Sequence, residues 1–536
     1  MPEPGQQGSG GGSSGGGGGV EQEEFLIKEL ATTNAYVFVP NSSPESHTVA
    51  RIDGRDLSIR PIRVGARPEE VRATDVEGVG AVAYVLCEGD STVAIVRADE
   101  PARDGVGFGT VSLLRVPREV NALQVSPDGR FALAYIDPSR GVLGQGASVA
   151  AIQAMALIRL GETREEDAVH ELSVTREIRS VSFDTQGKRA FIVGKEGVNV
   201  LDLEQIDSDR FVPPLKLDLS DEIFPPSDLE IVISRDGDYF ALRSNQLQRV
   251  AVVRLVPPGT PGTELVEKIS GFTLEESPSD IDLFQQSEGT RDALIVTLRG
   301  VGETLWLDPI ALLEQEEGEA PAQDEVVIAR YDTGSGNGLT QVSPQGNYAL
   351  TYTTLSASPV LNAVEILSET LERHPLLNQI RSVAISKDGQ VAIVVHRPQS
   401  SKPADGEVGA ESAQDRFREL HGLTLVDLAT GYKRPVALDG EPIEIIAVAS
   451  QDDGGEQLVY VTQRSSNPLY QGVLRLSLES FRTDFTQLAK EPTQIGVVAG
   501  KVFVNQRSEV GRITFIDLDG GAQRTISGYE LNARID

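Results

Sequence analysis

The stretch NALQVSPDGRFALAYID, residues 121–137, decides how the rest of the chain is read. Two short apolar runs flank Ser126-Pro127-Asp128-Gly129, where the proline presets its own φ and the glycine permits the positive φ that reverses the chain. Apolar runs of this length on either side of such a turn read as paired strands. Variants return at intervals of about fifty residues. They are RSVSFDTQG ending at Gly187, LEIVISRDG at Gly237, DIDLFQQSEG at Gly289, LTQVSPQG at Gly346 and RSVAISKDG at Gly389. EIIAVASQDDGG, ending at Gly454 and Gly455, has an enlarged turn, and TQIGVVAG at Gly500 is the last complete copy. The third place of the turn holds Asp128, Asp236 or Asp388, but also Gln186, Gln345 or Glu288, while the glycine stays. The turn therefore needs a backbone shape and a polar cap more than a carboxylate.

A second apolar strand follows each turn, as in RAFIVGK, YALTYT, VAIVVH and KVFVNQ, and a third reads VNVLDL, GLTLVDL, VLRLSL and ITFIDL. From Ala35 the runs AYVFVPN, HTVARID and LSIRPIRVG start the series at what would be a second strand. The chain ends in AQRTISGYELNARID, where residues 529–535 form an orphan first strand. Joining the two fragments gives one complete blade, and counting onward gives ten. These units resemble the YVTN and WD40-like β-propeller repeats over about residues 35–536, and the missing Gly-His and Trp-Asp signatures favour the YVTN-like class. The expected fold is all-β, a single β-propeller of about ten four-stranded blades whose N- and C-terminal strands share one blade. Two smaller propellers are the alternative. Such a resemblance implies a fold and no activity.

With 48 basic against 80 acidic residues, the formal charge of −32 repels nucleic acid and anionic headgroups. The one cysteine, Cys87, lies in the apolar run AVAYVLCEG and reads as a buried small hydrophobe. No apolar stretch is long enough for a transmembrane helix, and MPEPGQQ is not a signal peptide. Residues 8–19, GSGGGSSGGGGG, have nothing to bury, so residues 1–24 are expected to be a disordered tether and 25–536 the propeller. The tether resembles the spacer behind the lipid-modified cysteine of bacterial surface lipoproteins, although no lipobox is present. This implies a cell-envelope location, periplasmic or surface-tethered, with any membrane contact made through a lipid anchor. The cytoplasm is expected if no export signal precedes Met1.

Two connections outgrow their counterparts: residues 137–154 in the third blade and residues 397–421 in the eighth, each between second and third strands. In a ring of ten these blades are diametrically opposite, so both insertions should flank the channel mouth on one face. Asp308 followed by Pro309 marks a short helix in the sixth blade, with the acids behind it a solvated loop.

No catalytic constellation emerges. The G-x-S-x-G at 11–15 and G-x-G-x-x-G at 10–15 lie in the tether, without the strand and helix that give them meaning. His47, His170, His374, His396 and His421 have no metal-ligand spacing. Asp517-Leu518-Asp519-Gly520 lacks the further ligands of a calcium loop and reads as a strand end with its turn. Trp306 alternates with Leu305 and Leu307, as a packing residue would. Asn121, Arg179 and Arg381 share one place at the entrance to an innermost strand, near the channel mouth. They are the candidate ligand-binding residues for an anionic group, with ion pairs to acidic loops as the plain alternative. No catalytic or metal-ligating residue is assigned and no cofactor is implied. The leading expectation is a non-catalytic binding or scaffold module recognising a protein, peptide or glycan through loops on one face. The alternative is a hydrolase resembling the propeller lactonases, with a divalent metal in the channel.

Overall fold

The computed structural model describes residues 31–41, 46–101, 108–140, 153–206, 214–217, 229–260, 266–284, 292–315, 323–356, 359–399, 417–449, 457–518 and 521–529. Its strands form ten antiparallel sheets in chain order, spanning 36–63, 68–115, 122–173, 180–216, 229–273, 280–332, 339–375, 380–438, 441–487 and 492–527. Each sheet is a meander, and nine of them have four strands. Several second strands are buried along their whole length, among them Arg189–Gly194, Tyr239–Ser244 and Val391–His396. The outermost strands, such as Thr483–Gln487 and Gln523–Ser527, are almost entirely exposed.

The near-continuous apolar runs have a simple cause: each blade is packed on both faces, so successive side chains of one strand serve different seams. On the strand Gly80–Cys87, Val82, Tyr84 and Leu86 face the third blade, while Ala81, Ala83, Val85 and Cys87 face the first. Ten apolar clusters result, one for each seam between neighbouring blades. The tenth joins Val498, Phe503, Ile513, Phe515 and Tyr529 of the last blade to Val37, Ile52 and Leu57 of the first. Since a seam also joins blades five and six, the chain forms one ring of ten and not two smaller ones.

The first blade has three described strands, Tyr36–Pro40, Thr48–Asp53 and Ile59–Arg63. The innermost position beside Val37–Pro40 borders a cleft of about 200 Å³ that Phe503 and Ile513 also line. Tyr529, buried in the closing seam, donates from its hydroxyl to Asn505 at 3.3 Å. The remainder of the expected C-terminal strand lies outside the described residues, as do residues 1–24.

Antiparallel order places first-to-second and third-to-fourth connections at one end of the ring, here the turn face. Second-to-third and blade-to-blade connections lie at the other, the loop face. On the turn face five copies of the turn share one geometry, while the copy at Gly500 is a two-residue hairpin through Ala499 and Gly500. Ser126 Oγ accepts from Phe131 N at 3.0 Å, Ser126 N donates to Phe131 O at 2.8 Å, and Gly129 N donates to Ser126 O at 2.9 Å. Ser234, Ser343 and Ser386 repeat the pattern, and Asp184 substitutes its carboxylate for the serine hydroxyl. The cap is thus the first residue of the turn. The third residue serves differently from blade to blade. Asp128 and Asp388 accept from their own serines at 2.5 Å, whereas Gln186 reaches Asp236 of the next turn at 2.7 Å. Gly187 and Gly237 have φ of 71° and 70°, and a Cβ on either would lie 2.7 or 2.5 Å from a carboxylate oxygen of the preceding turn. The copies expected to end at Gly289, Gly454 and Gly455 lie outside the described residues.

A buried ion pair also ties the turn face. Arg97 of blade two and Asp167 of blade three are both about 1% exposed and pair through two bonds of 2.6 and 2.8 Å. Ser112 Oγ and Gly161 N complete the carboxylate's partners. As the sequence predicts, Cys87 is buried, with its thiol pushed up to about 12 by desolvation. Trp306 packs in the seam of blades six and seven, 5.1 Å from Tyr331. Asp308 caps the helix α1 (Pro309–Glu314), accepting from Ile310 N and Ala311 N at 2.9 Å.

Candidate functional site

The loop face is where the repeat is broken. Its two insertions leave between second and third strands of blades three and eight, Phe131–Tyr135 to Ala154–Arg159 and Val391–His396 to His421–Asp427. Connections of this kind share one end of every blade, and blades three and eight are five apart in a ring of ten. Both insertions therefore emerge on the same face, across the channel mouth from each other. Residues 141–152 and 400–416, their middles, lie outside the described residues.

Their roots are firmly held. Asn121 accepts from Asp137 N at 2.7 Å and donates to Asp137 O at 3.0 Å, closing the base of the first insertion. Arg140 continues the clamp, donating to Glu70 at 2.5 Å and to Asn121 O at 3.0 Å. In blade eight, fully buried Asn378 donates to Arg418 O at 3.2 Å, and Arg418 Nε donates to Leu377 O at 3.2 Å. Phe417 packs edge-on to His396, whose ring bonds Thr424 Oγ1 at 2.7 Å. Burial lowers His396 to about 4, so its imidazole is neutral at pH 7. Another asparagine ahead of an innermost strand, Asn337 of blade seven, donates to Thr333 O at 2.6 Å. Sequence reasoning used Asn121 but passed over Asn337 and Asn378. The signal was the asparagine just before the innermost strand in VNALQV, GNGLTQV and LLNQIRSV.

The three sequence candidates are not brought together. Asn121 and Arg179 stand on adjacent blades, three and four, and Arg381 stands on blade eight, opposite blade three. Asn121 is committed to the insertion base. Arg179 is exposed just before the strand Ser180–Phe183 and helps lower the carboxyl of Glu177, behind the larger influence of Lys195. Arg381 donates to Pro442 O at 3.2 Å and lies 3.7 Å from Glu441. It begins a chain of charges in which Glu441 meets Arg464 at 2.7 Å, Arg464 approaches Glu491 at 3.8 Å, and Glu491 meets Arg507 at 3.3 Å. A polar cleft of about 450 Å³ lies beside it, lined by His421, Asp439, Glu441, Arg464 and Gln471. His421 is lowered, first by burial and then by Arg381 and Arg464 against the opposing pull of Glu441.

Within the ring, acidic side chains bridge one innermost strand to the next by accepting backbone N–H groups. Glu70 accepts from Leu123 N at 3.2 Å, Asp280 from Thr340 N at 2.7 Å, Asp282 from Val342 N at 2.8 Å and Glu444 from Ile495 N at 2.8 Å. Asp280 and Asp282 keep a partly accessible edge but are deeply surrounded by protein. Desolvation, with Glu230 next, pushes Asp280 up to about 8, and burial likewise raises Asp282. Among the described residues no three His, Cys, Asp or Glu side chains are grouped to hold a metal ion. No helix among them is long and apolar enough to cross a membrane.

The ring and its loop face define a ten-bladed β-propeller. No family model matches the chain, and no curated protein matches it. Among solved structures it is similar to dihydro-heme d1 dehydrogenase NirN in complex with DHE, at 10% identity and a TM-score of 0.41, over 96% of this chain and 78% of that one. The Dos1 propeller is similar at 11% identity and a TM-score of 0.42, over 77% and 92%. Kuenenia stuttgartiensis hydrazine synthase is similar at 17% identity and a TM-score of 0.30, over 67% and 99%. None of these likenesses bears on activity.

Proposed function

We propose that this protein is a binding module of YVTN-like repeats that presents its loop face to a protein, peptide or glycan. The observation that carries the reading is the pair of insertions on one face and opposite blades, each anchored at its root while the second-to-third connections of the other blades stay short. Binding groups concentrate on loops held by a rigid frame, and this arrangement frames the mouth from two sides. The glycine-rich residues 8–19 supply the tether of a module displayed at the cell envelope. The test is binding of the full chain to isolated cell-envelope protein and glycan fractions, compared with a variant in which residues 141–152 and 400–416 are each replaced by a short Gly-Ser linker. Binding should be lost while the melting temperature holds. A folded variant that binds as the parent does overturns the reading. A stoichiometric divalent metal in purified protein, together with turnover of a lactone, would establish the hydrolase alternative instead.

A further inference from the structure

We propose that the loop-face cleft between blades six and seven is an anion-binding site, built to take a carboxylate or phosphate group. The cleft holds about 450 Å³ and is lined by Arg299 and Arg373, by the loop 333–337, and by Leu355 and Asn362 on its rim and floor. Among the described residues no carboxylate lines it, although the chain carries 80 acidic residues to 48 basic ones. Two guanidinium groups thus line one concavity, with the Asp332 carboxylate that pairs with Arg373 outside its lining.

The loop is fixed before any ligand arrives. Thr333 N and Gly334 N donate to Gly302 O at 2.9 and 3.0 Å, Gly336 N to Arg299 O at 2.9 Å, and Gly338 N to Tyr352 O at 3.0 Å. Buried Asn337 and Asn362 both donate to Thr333 O, at 2.6 and 3.0 Å. Gly334 and Gly336 have φ of 83° and 98°, and a Cβ on either would meet no atom within 4 Å, so the loop's backbone faces open space. Successive peptide groups in such turn conformations form concavities for anions. Ser335, exposed between the two glycines, brings a hydroxyl and an amide to the same place. The Arg299 guanidinium lies against Gly338, where a Cβ would overlap it, and Arg373 is oriented by Asp332, whose carboxylate is 3.2 Å away. Planar guanidinium groups held in place suit oxyanions better than lysines would. Leu355, 58% exposed on the rim, offers an apolar contact to whatever carries the anion.

This site deepens the reading of the loop face as a recognition surface, yet its test does not depend on the insertions. The full chain is titrated calorimetrically with inorganic phosphate and with N-acetyl-aspartate amide, so that the two arms separate a phosphate from a carboxylate source. At least one probe should bind saturably and more weakly at high salt. The double variant Arg299→Gln, Arg373→Gln should lose at least about tenfold in affinity, as removal of charged hydrogen bonds predicts. Leu355→Asp, which sets a carboxylate on the rim without touching the loop, should weaken binding as well and serves if the double variant does not fold. Arg507→Gln, in the charge chain of blades eight to ten, should bind as the parent does. The proposal is overturned if neither probe binds the parent, or if the folded variants keep its affinity. Loss of partner binding in the insertion-replaced chain, with anion binding intact, would leave this site standing by itself.

Discussion

The two ends of the ring are built on different principles. At the turn face one local device, a serine or aspartate cap with a glycine three residues on, recurs in blades three, four, five, seven and eight, and each copy leans on its neighbour. At the loop face the connections differ in length, and asparagines in blades three and eight hold the roots of the two insertions. Regularity at one end frees the other to vary, because the frame is already determined when the irregular segments are added.

The sharpest challenge to this contrast is the buried pair on the turn face. Arg97→Leu alone should destabilise by about 3–5 kcal/mol, because it strands the Asp167 carboxylate in the seam. A double replacement with apolar residues should recover much of that loss in denaturant unfolding. Next comes a matched pair of glycines. Gly237→Ala should cost more than the roughly 1–2 kcal/mol expected for a left-handed alanine, since its Cβ also meets Asp184. Gly334→Ala, with similar φ but open space, should cost only the backbone share. Equal costs would remove the claim that the turns brace one another. Smaller still, Ser343→Ala should lose about 1 kcal/mol, the ordinary worth of a hydrogen bond, and shift the melting temperature more than Gln345→Ala does.

Two deeply surrounded titratable groups supply a pH-dependent comparison. Asp280 is raised well above its unfolded value, so its contribution to stability is complete below the unfolded value and is lost as pH rises through about 8. His396 is lowered, so its contribution is present above its unfolded value and is lost as pH falls toward about 4. Asp280→Asn should therefore flatten the fall in the melting temperature between about pH 4 and 8, and His396→Gln the acid one. The slope of either limb is limited to about 1.4 kcal/mol per pH unit for each group. An unchanged slope between about pH 4 and 8 in Asp280→Asn would show that the carboxyl is ionised in the folded ring.

What the sequence made legible was whatever depends on neighbours in the chain. The S-P-D-G turns, the Asp308 cap, the alternation around Trp306 and the places of both insertions could all be read within a dozen residues of themselves. The partners of Arg97 and of Asp280 could not, for they lie 70 and 60 residues away and are set by how one blade faces the next. The tie of Arg381 to Glu441 likewise belongs to a loop one blade on. The cleft around Arg299, Ser335 and Asn362 draws on several connections of two blades, none of which carries a motif by itself.

The ten separate seams have a mechanical consequence. Among the described residues no apolar cluster reaches beyond two neighbouring blades, so stability is handed round the circle in nearest-neighbour steps, and a closed ring has no capping repeat to absorb a loss. A crack at any seam converts a closed band into an open arc with two wetted ends. The seam that unites residues 37–57 with residues 498–529 brings together the segments farthest apart in the chain, so its contacts carry the largest loop-closure cost. Hydrogen exchange should report that seam as the clasp that slips before the links of the band give way.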